Sequence, residues 1–198
     1  MERNPYVVSH KHKFSEFCLK QKALLDYINF NYEEVHKVIE LMVDTINKEG
    51  YIYICGNGGS YCSALHFAED MMKCANLNTS KAIKCFALGA NPGLLTCLSN
   101  DYSYDEIFSK ELSFLSLKKD DLLIGLSVSG SSPNVYNAIM RSTKECKTVL
   151  ITGNNYENIE KYHTDTVILS FPNNEFSHVE DMTMFVLHYI CNNIHLYI

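Results

Sequence analysis

The spacing of hydrophobic residues along the chain changes at Gly50. Two helical segments precede it, one from Phe14 to about Phe30 and one from Tyr32 to Lys48, and apolar residues of the second recur near helical spacing. Gly50 lies where a C-cap residue is expected, and we predict that it ends the second helix. The first part of the chain, residues 1–49, is therefore expected to be a helical segment.

Short apolar runs alternate with mostly helical patterns after Gly50. Near-continuous apolar strands that are separated by helices are typical of a parallel sheet covered on both faces. We therefore predict one α/β domain over residues 1–198. In it, two N-terminal helices precede a flavodoxin-like or Rossmann-like three-layer sandwich (50–198) with a five-stranded parallel sheet. The predicted strands span residues 51–55, 82–88, 121–127, 147–152 and 166–171.

The composition and charge of the chain argue against two functional classes, nucleic-acid-binding proteins and membrane-spanning proteins. Hydrophobic residues make up 46% of the chain and charged residues 20%, which is ordinary for a soluble globular protein. A net charge of −6, with no basic patch beyond the HKHK run at 10–13, argues against a nucleic-acid-binding protein. No apolar run approaches the roughly 20 residues that a membrane span needs. The eight cysteines form no C-x-x-C pair and fit buried, reduced thiols, so we expect a cytoplasmic protein.

Two loops are candidate anion sites, because ligands of such sheets bind at the carboxyl ends of the strands where the strand order reverses. The first, which we call the glycine turn, is GNGGS at residues 56–60. Glycines let backbone amides approach a ligand, and the helix that follows offers a positive N-terminus. The spacing matches neither the dinucleotide nor the P-loop fingerprint. A plain tight turn with Ser60 as the helix N-cap explains it equally well.

The second loop, which we call the serine loop, is LSVSGSSPN at residues 126–134. It places four serine hydroxyls and a glycine at a predicted helix N-terminus, and Pro133 fits the first position of that helix. Hydroxyl and amide donors suit a phosphate group that is held without a buried lysine. One serine would serve as a cap, but four at the carboxyl edge of the sheet favour a ligand.

His66 and Asp70 lie four residues apart on the helix predicted after the glycine turn. Residues at this spacing share one helix face, with Cβ atoms about 6 Å apart, so both side chains can meet one metal ion. We expect this pair and the serine loop to converge on a single cavity at the carboxyl edge of the sheet.

The segments GNGGS-x5-H-x3-D, LSNDY (98–102) and SVSGSS together resemble the sugar isomerase (SIS) domain family, and more narrowly its phosphoheptose isomerase branch. The likeness extends to the late helix HVEDMTMFVLH at 178–188. It implies a homotetramer with active sites at subunit interfaces and a sugar phosphate that is isomerised between aldose and ketose through a cis-enediol. The residues implied to contact substrate are Asn57, Gly58, Gly59, Ser60, Asn100, Asp101, Ser127, Val128, Ser129, Ser132 and Glu180.

The resemblance also implies a bound Zn²⁺ ion, with His66, Asp70, Glu180 and His188 as ligands. Asp70 stands where the family has Glu, and Glu180 stands where it has Gln. Two carboxylates and two neutral imidazoles would balance the charge of Zn²⁺ and bind it more tightly. These changes therefore indicate a retained metal site with altered affinity. Asp70, or Glu180 in its place, is expected to take the proton next to the carbonyl, and His188 to shuttle protons at the sugar oxygens.

Glu180 and His188 are eight residues apart, which is about 12 Å along an unbroken helix. Either the helix bends or the last ligand comes from a neighbouring subunit, and we favour the neighbouring subunit. The apolar sequence FVLHYI around His188 equally allows a core histidine.

Three functions fit these observations. The first is isomerisation of sedoheptulose 7-phosphate to heptose 7-phosphate. The second is the same reaction on another sugar phosphate, which would explain Val128 in place of a family Thr and the GANPG segment at 89–93. The third is non-catalytic binding of a phosphosugar or a protein for regulation, and the presence of His188 argues against it.

Overall fold

The five predicted strands all form, and they pair in parallel in the spatial order β2-β1-β3-β4-β5. This computed structural model describes residues 5–198, so residues 1–4 of the predicted helical segment lie outside the described residues. The chain leaves β1 toward β2 on one side and returns to β3 on the other, so the strand order reverses between β1 and β3. The strands are β1 Ile52–Gly56, β2 Cys85–Ala87, β3 Leu122–Ser127, β4 Lys147–Gly153 and β5 Thr166–Phe171.

Helices cover both faces of this sheet, which confirms the predicted three-layer architecture. A short π-helical turn, Met71–Ala75, extends the third helix. The α-helices in the described range are α1 Pro5–Phe30, α2 Tyr32–Asn47, α3 Gly58–Asp70, α4 Pro92–Asp101, α5 Ile107–Leu115, α6 Pro133–Ser142, α7 Tyr156–Ile159 and α8 Phe176–Asn193.

Alternation of side chains along β1 divides the core into two clusters. Ile52 and Ile54 point to one face, where they pack with side chains of α2, α3 and α8, whereas Tyr53 and Cys55 point to the other face, toward α5 and α6. The central strands β1, β3 and β4 are buried on both faces, as the near-continuous apolar runs predict, whereas the edge strands β2 and β5 are partly exposed. The glycine turn and the serine loop are therefore anchored on strands with little freedom to move.

The N-terminal segment differs from its prediction at both ends. In the described residues helix α1 runs from Pro5, nine residues before the expected start, and its residues 10–13 are polar and exposed, so no apolar stripe marks this part of the helix. At the other end, Glu49 rather than Gly50 takes the left-handed conformation after α2, with a φ of 59°. Gly50 is needed for a different reason, since a Cβ there would overlap the backbone carbonyl of Asp120.

The eight cysteines are all free thiols, but Cys55, Cys85 and Cys191 alone among them are buried. The expectation that most are buried is therefore wrong, because several lie on the outer faces of helices. None of the helices in residues 5–198 combines the length and the apolar character that crossing a membrane requires.

Candidate active site

The glycine turn connects β1 to α3 and is shaped by close backbone approach. The N-cap of α3 is Asn57 and not Ser60, as the tight-turn alternative expected, so the helix begins at Gly58. Gly58 adopts a left-handed φ of 54°, which favours glycine. A Cβ on Gly56 would lie 2.9 Å from Ser60, so this position also requires glycine.

The side chain of Asn57 is occupied by the protein itself. Its amide nitrogen donates to Asn134 Oδ1 at 2.8 Å, and its carbonyl oxygen accepts from Asn134 Nδ2 at 2.8 Å and from the Tyr104 hydroxyl at 2.9 Å. Asn134 is almost fully buried at the start of α6. This amide pair joins the glycine turn to the helix that follows the serine loop, so Asn57 positions the turn.

The serine loop folds around Gly130, whose φ is 65°. The Ser127 hydroxyl donates to Ser132 Oγ at 3.0 Å, and Ser129 Oγ accepts from both the backbone N–H and the hydroxyl of Ser131. Ser132 is the N-cap of α6, yet its hydroxyl makes no capping hydrogen bond. These hydroxyl groups could bind an anion. The start of α6 adds its partial positive charge but few free N–H groups, because Pro133 has none and the Val135 N–H donates to Asn134 Oδ1 at 3.0 Å.

The two loops line one cavity of about 400 Å³ at the carboxyl ends of the strands. The residues that line it, all from the described part of the chain, include no Lys or Arg, so a bound anion would be held by hydroxyl and amide groups. The predicted substrate-contact residues that the structure brings together here are Asn57, Ser60, Ser127, Val128, Ser129, Ser132 and Glu180.

The Glu180 carboxylate lies in this cavity against the glycine turn. A Cβ on Gly59 would overlap both of its oxygens, so the absence of a side chain at Gly59 lets the carboxylate approach α3. Glu180 is thus beside the anion-binding loops and is not grouped with the three other residues expected to bind the metal.

Those three residues form a separate cluster, which we call the histidine–aspartate cluster: His66, Asp70 and His188. Asp70 Oδ2 lies 3.5 Å from His66 Nε2 and 3.8 Å from His188 Nε2, and the two imidazole centroids are 5.0 Å apart. One donor atom from each residue lies within 4.8 Å of the others. Two imidazole nitrogens and one carboxylate oxygen match the donors of catalytic zinc sites that keep one position open. The donor set fits the implied ion.

The position of His188 corrects two expectations. The histidine reaches Asp70 of its own chain, so no neighbouring subunit is needed to bring these donors together. Its side chain is 45% exposed, so it is not a core histidine. The reason is that α8 runs beside α3 in the same direction, which places Glu180 next to Gly59 and His188 two turns later next to Asp70.

The expectation of a single shared cavity is also wrong within one chain. The histidine–aspartate cluster does not line the 400 Å³ cavity, because it lies about 12 Å farther along α8 than Glu180.

Other implied substrate contacts also lie outside this cavity. Asn100 and Asp101 are exposed at the end of α4, where hydrogen bonds from Asn100 and then Cys97 lower the pKa of the Asp101 carboxyl. Gly58 faces a smaller neighbouring cavity.

Three residues of the 400 Å³ cavity were missed by the sequence analysis: Asn155, Asn174 and Phe176. Asn155 follows β4, and the other two follow β5, so all three lie at carboxyl ends of strands. The available signal was a pair of Asn-Asn doublets, at 154–155 and 173–174, directly after two predicted strands.

Comparison with known proteins identifies the family of this chain. A family model described as the SIS domain matches residues 16–153. The phosphoheptose isomerase of Helicobacter pylori is 30% identical over 180 residues, covering 90% of this chain and 92% of the relative. That of Aliarcobacter butzleri is 32% identical over 181 residues, covering 90% and 93%.

A solved structure gives the same answer. The phosphoheptose isomerase from Neisseria gonorrhoeae superposes with a TM-score of 0.81 at 27% identity, covering 96% of each chain. The matched fold includes the sheet and the helices that carry the cavity and the histidine–aspartate cluster. This chain belongs to the SIS domain family and, within it, to the phosphoheptose isomerases.

Proposed function

We propose that this protein is an aldose–ketose isomerase that converts sedoheptulose 7-phosphate to heptose 7-phosphate through a cis-enediol. The observation that carries the proposal is the arrangement along α3 and α8. Near their first turns these helices border a cavity built to bind an anion, and farther along they carry a carboxylate between two imidazoles.

The serine loop is the proposed phosphate site. Ser127, Ser129 and Ser132 contribute hydroxyl groups, and the N-terminus of α6 contributes its partial positive charge. Because none of these groups carries a full charge, we expect the phosphate to exchange readily.

Proton transfer between two adjacent carbons needs one base and one group that serves the oxygens. We propose Asp70 as the base, because His188 Nε2 lies 3.8 Å from its carboxylate and can move protons at the sugar oxygens. Glu180 is the second candidate base, since its carboxylate lies in the cavity with the serine loop. Replacing Asp70 with Ala and Glu180 with Gln separately distinguishes them, because loss of the true base should cost about 10²- to 10⁴-fold in kcat.

His66, Asp70 and His188 are also the proposed holders of Zn²⁺. A bound Zn²⁺ would polarise the carbonyl group of the substrate and stabilise the negative charge of the enediolate. The predicted fourth ligand, Glu180, lies two helical turns from these residues, and we therefore assign it to the cavity.

We further propose that the active site is completed between subunits of a homotetramer. Within one chain the cluster lies about 12 Å along α8 from Glu180, and in an oligomer a second subunit can bring its own cluster to the cavity. Exposed apolar side chains on α1 and α8, such as Phe14, Phe17 and Phe185, provide surface for such contacts.

Mixing two inactive variants tests this subunit arrangement. Ser129→Asp should block phosphate binding, and His188→Ala should remove the proton shuttle. If sites form between subunits, tetramers refolded from an equal mixture should recover roughly a quarter of the wild-type activity, since that share of sites combines an intact cavity with an intact cluster. Hybrids that stay inactive would show that each site lies within one chain.

The reaction itself is tested by ¹H NMR on a panel of ketose and aldose phosphates. We expect conversion of sedoheptulose 7-phosphate, with slower conversion of shorter ketose phosphates. Preference for a shorter sugar phosphate would identify an isomerase for a different substrate. Binding without conversion of any member would indicate a regulatory phosphosugar-binding protein.

A further inference from the structure

We infer that Asn155 and Asn174 are specificity-determining residues that bind the hydroxyl groups of the sugar chain. This role rests on the proposed function, because it requires a polyhydroxylated phosphate ester in the cavity between the glycine turn and the serine loop. Neither residue belongs to the motifs that carry the likeness to the SIS family.

The two residues are brought to the cavity by the ends of adjacent strands. β4 ends at Gly153 and β5 ends at Phe171, and the loops after them join where Asn154 N–H donates to the Asn173 carbonyl at 3.0 Å. A Cβ on Gly153 would overlap carbonyl oxygens of both Asn173 and Val128, so this glycine lets the two asparagine loops and the serine loop pack together. Their position is fixed by backbone contacts.

The amide groups of Asn155 and Asn174 are available to a ligand. Among residues 5–198, neither side chain has a hydrogen-bond partner, whereas the Asn57 amide in the same cavity is taken up by Asn134 and Tyr104. Asn155 is half-buried and Asn174 is exposed, so both amide groups are accessible from solvent.

The chemistry and location of these amides favour sugar hydroxyls over phosphate. An asparagine amide both donates and accepts, as a hydroxyl group does, whereas a phosphate dianion needs donors alone. Along the cavity edge, β4 and β5 follow β3 on the side away from the glycine turn, at about 4.8 Å per strand. A phosphate in the serine loop would therefore have its carbon chain within reach of both asparagines.

The test compares affinities for a sugar phosphate and for inorganic phosphate by isothermal titration calorimetry. Asn155→Ala and Asn174→Ala should each weaken binding of sedoheptulose 7-phosphate roughly 3- to 10-fold, the loss expected for one hydrogen bond. Both variants should bind inorganic phosphate as the wild type does. Asn192→Ala, an exposed asparagine at the end of α8, is the matched control and should change neither affinity. Because Asn155 precedes α7, Asn155→Ser provides a second variant that keeps a polar group there.

The inference is overturned if both alanine variants bind the sugar phosphate as Asn192→Ala does. It is also overturned if affinities for sugar phosphate and inorganic phosphate fall by the same factor, since the amides would then contact the phosphate group. Failure of the proposed function has a different signature. In that case the wild-type protein does not convert sedoheptulose 7-phosphate, whatever the two affinities are.

Discussion

Replacing Gly59 with Ala should disable the site while leaving the fold nearly as stable as before. The added Cβ would overlap both carboxylate oxygens of Glu180, so the carboxylate must leave its place beside the glycine turn. Gly59 lies in the first turn of α3 and its φ is not in the left-handed region, so Ala is compatible with its backbone.

The magnitude follows from two opposing terms in the free energy of unfolding. Ala in place of a helical Gly contributes up to about 1 kcal/mol. Moving a partly exposed, flexible Glu180 side chain costs a similar amount, so the net change should stay within about 1 kcal/mol. The effect on kcat/KM should be larger, at least about tenfold, because the displaced Glu180 carboxylate is an expected substrate contact and a hydrogen bond to a charged group contributes about 1.5–3 kcal/mol.

The neighbouring glycine provides the matched control. A Cβ on Gly58 meets no atom within 4 Å, but its φ of 54° is left-handed. Gly58→Ala should therefore lower the free energy of unfolding by about 1–2 kcal/mol while leaving Glu180 in place. Chemical denaturation and steady-state kinetics of both variants should thus show opposite patterns.

A double-mutant cycle identifies the cause. In the Glu180→Ala background, adding Gly59→Ala should change kcat/KM by less than about twofold, since the displaced group is already absent. If Gly59→Ala lowers activity by the same factor in both backgrounds, the contact between Gly59 and Glu180 is not what the substitution disrupts, and our reasoning is wrong.

Two further predictions concern the metal and the pH dependence of stability. His188→Ala should lower the zinc content, measured by atomic emission, from about one ion per chain to near zero, whereas the exposed His163→Ala should leave it unchanged; equal zinc in both would exclude the cluster as the site. Burial raises the pKa of the Glu111 carboxyl, opposed by a hydrogen bond from Gly89 N–H. A carboxyl whose pKa is raised in the folded state stabilises the fold at low pH, and this stabilisation is lost as the pH rises through the folded-state pKa. Glu111→Gln should therefore have a higher melting temperature than the wild type at pH 7, and the difference should close below pH 4.5. A difference in melting temperature that widens as the pH falls would contradict a raised pKa at Glu111.

The central strands were predictable because burial on both faces requires a continuous run of apolar residues in the sequence. Every strand residue from Ile52 to Gly56 is buried, so the run reads as continuously apolar, and the loops that follow such runs must meet at one edge. The first turns of α1 show no comparable hydrophobic pattern. Within its described side chains, Leu24 and Ile28 are the buried apolar ones, and the preceding turns carry no stripe that could mark a helix.

The sequence named candidate site residues but did not show how the fold groups them. The eight-residue spacing indicated that Glu180 and His188 of one unbroken helix cannot easily reach the same ion, and in the structure Glu180 lies apart from the cluster, but sequence does not show which helix lies beside α8. Once α3 is known to run alongside it in the same direction, the two residues meet different parts of α3. Asn155 and Asn174 were overlooked because their role depends on the packing of two loops, which no short motif encodes.

The most direct test of the proposed reaction is isomerisation in D₂O, followed by NMR at the carbon next to the carbonyl. Transfer through a cis-enediol exposes the migrating proton to a protein carboxylate that exchanges with solvent. We therefore predict that heptose 7-phosphate formed from sedoheptulose 7-phosphate carries deuterium at that carbon, and that Asp70→Ala abolishes both conversion and exchange. Conversion without deuterium in the product, or full activity in the Asp70→Ala variant, would contradict this account.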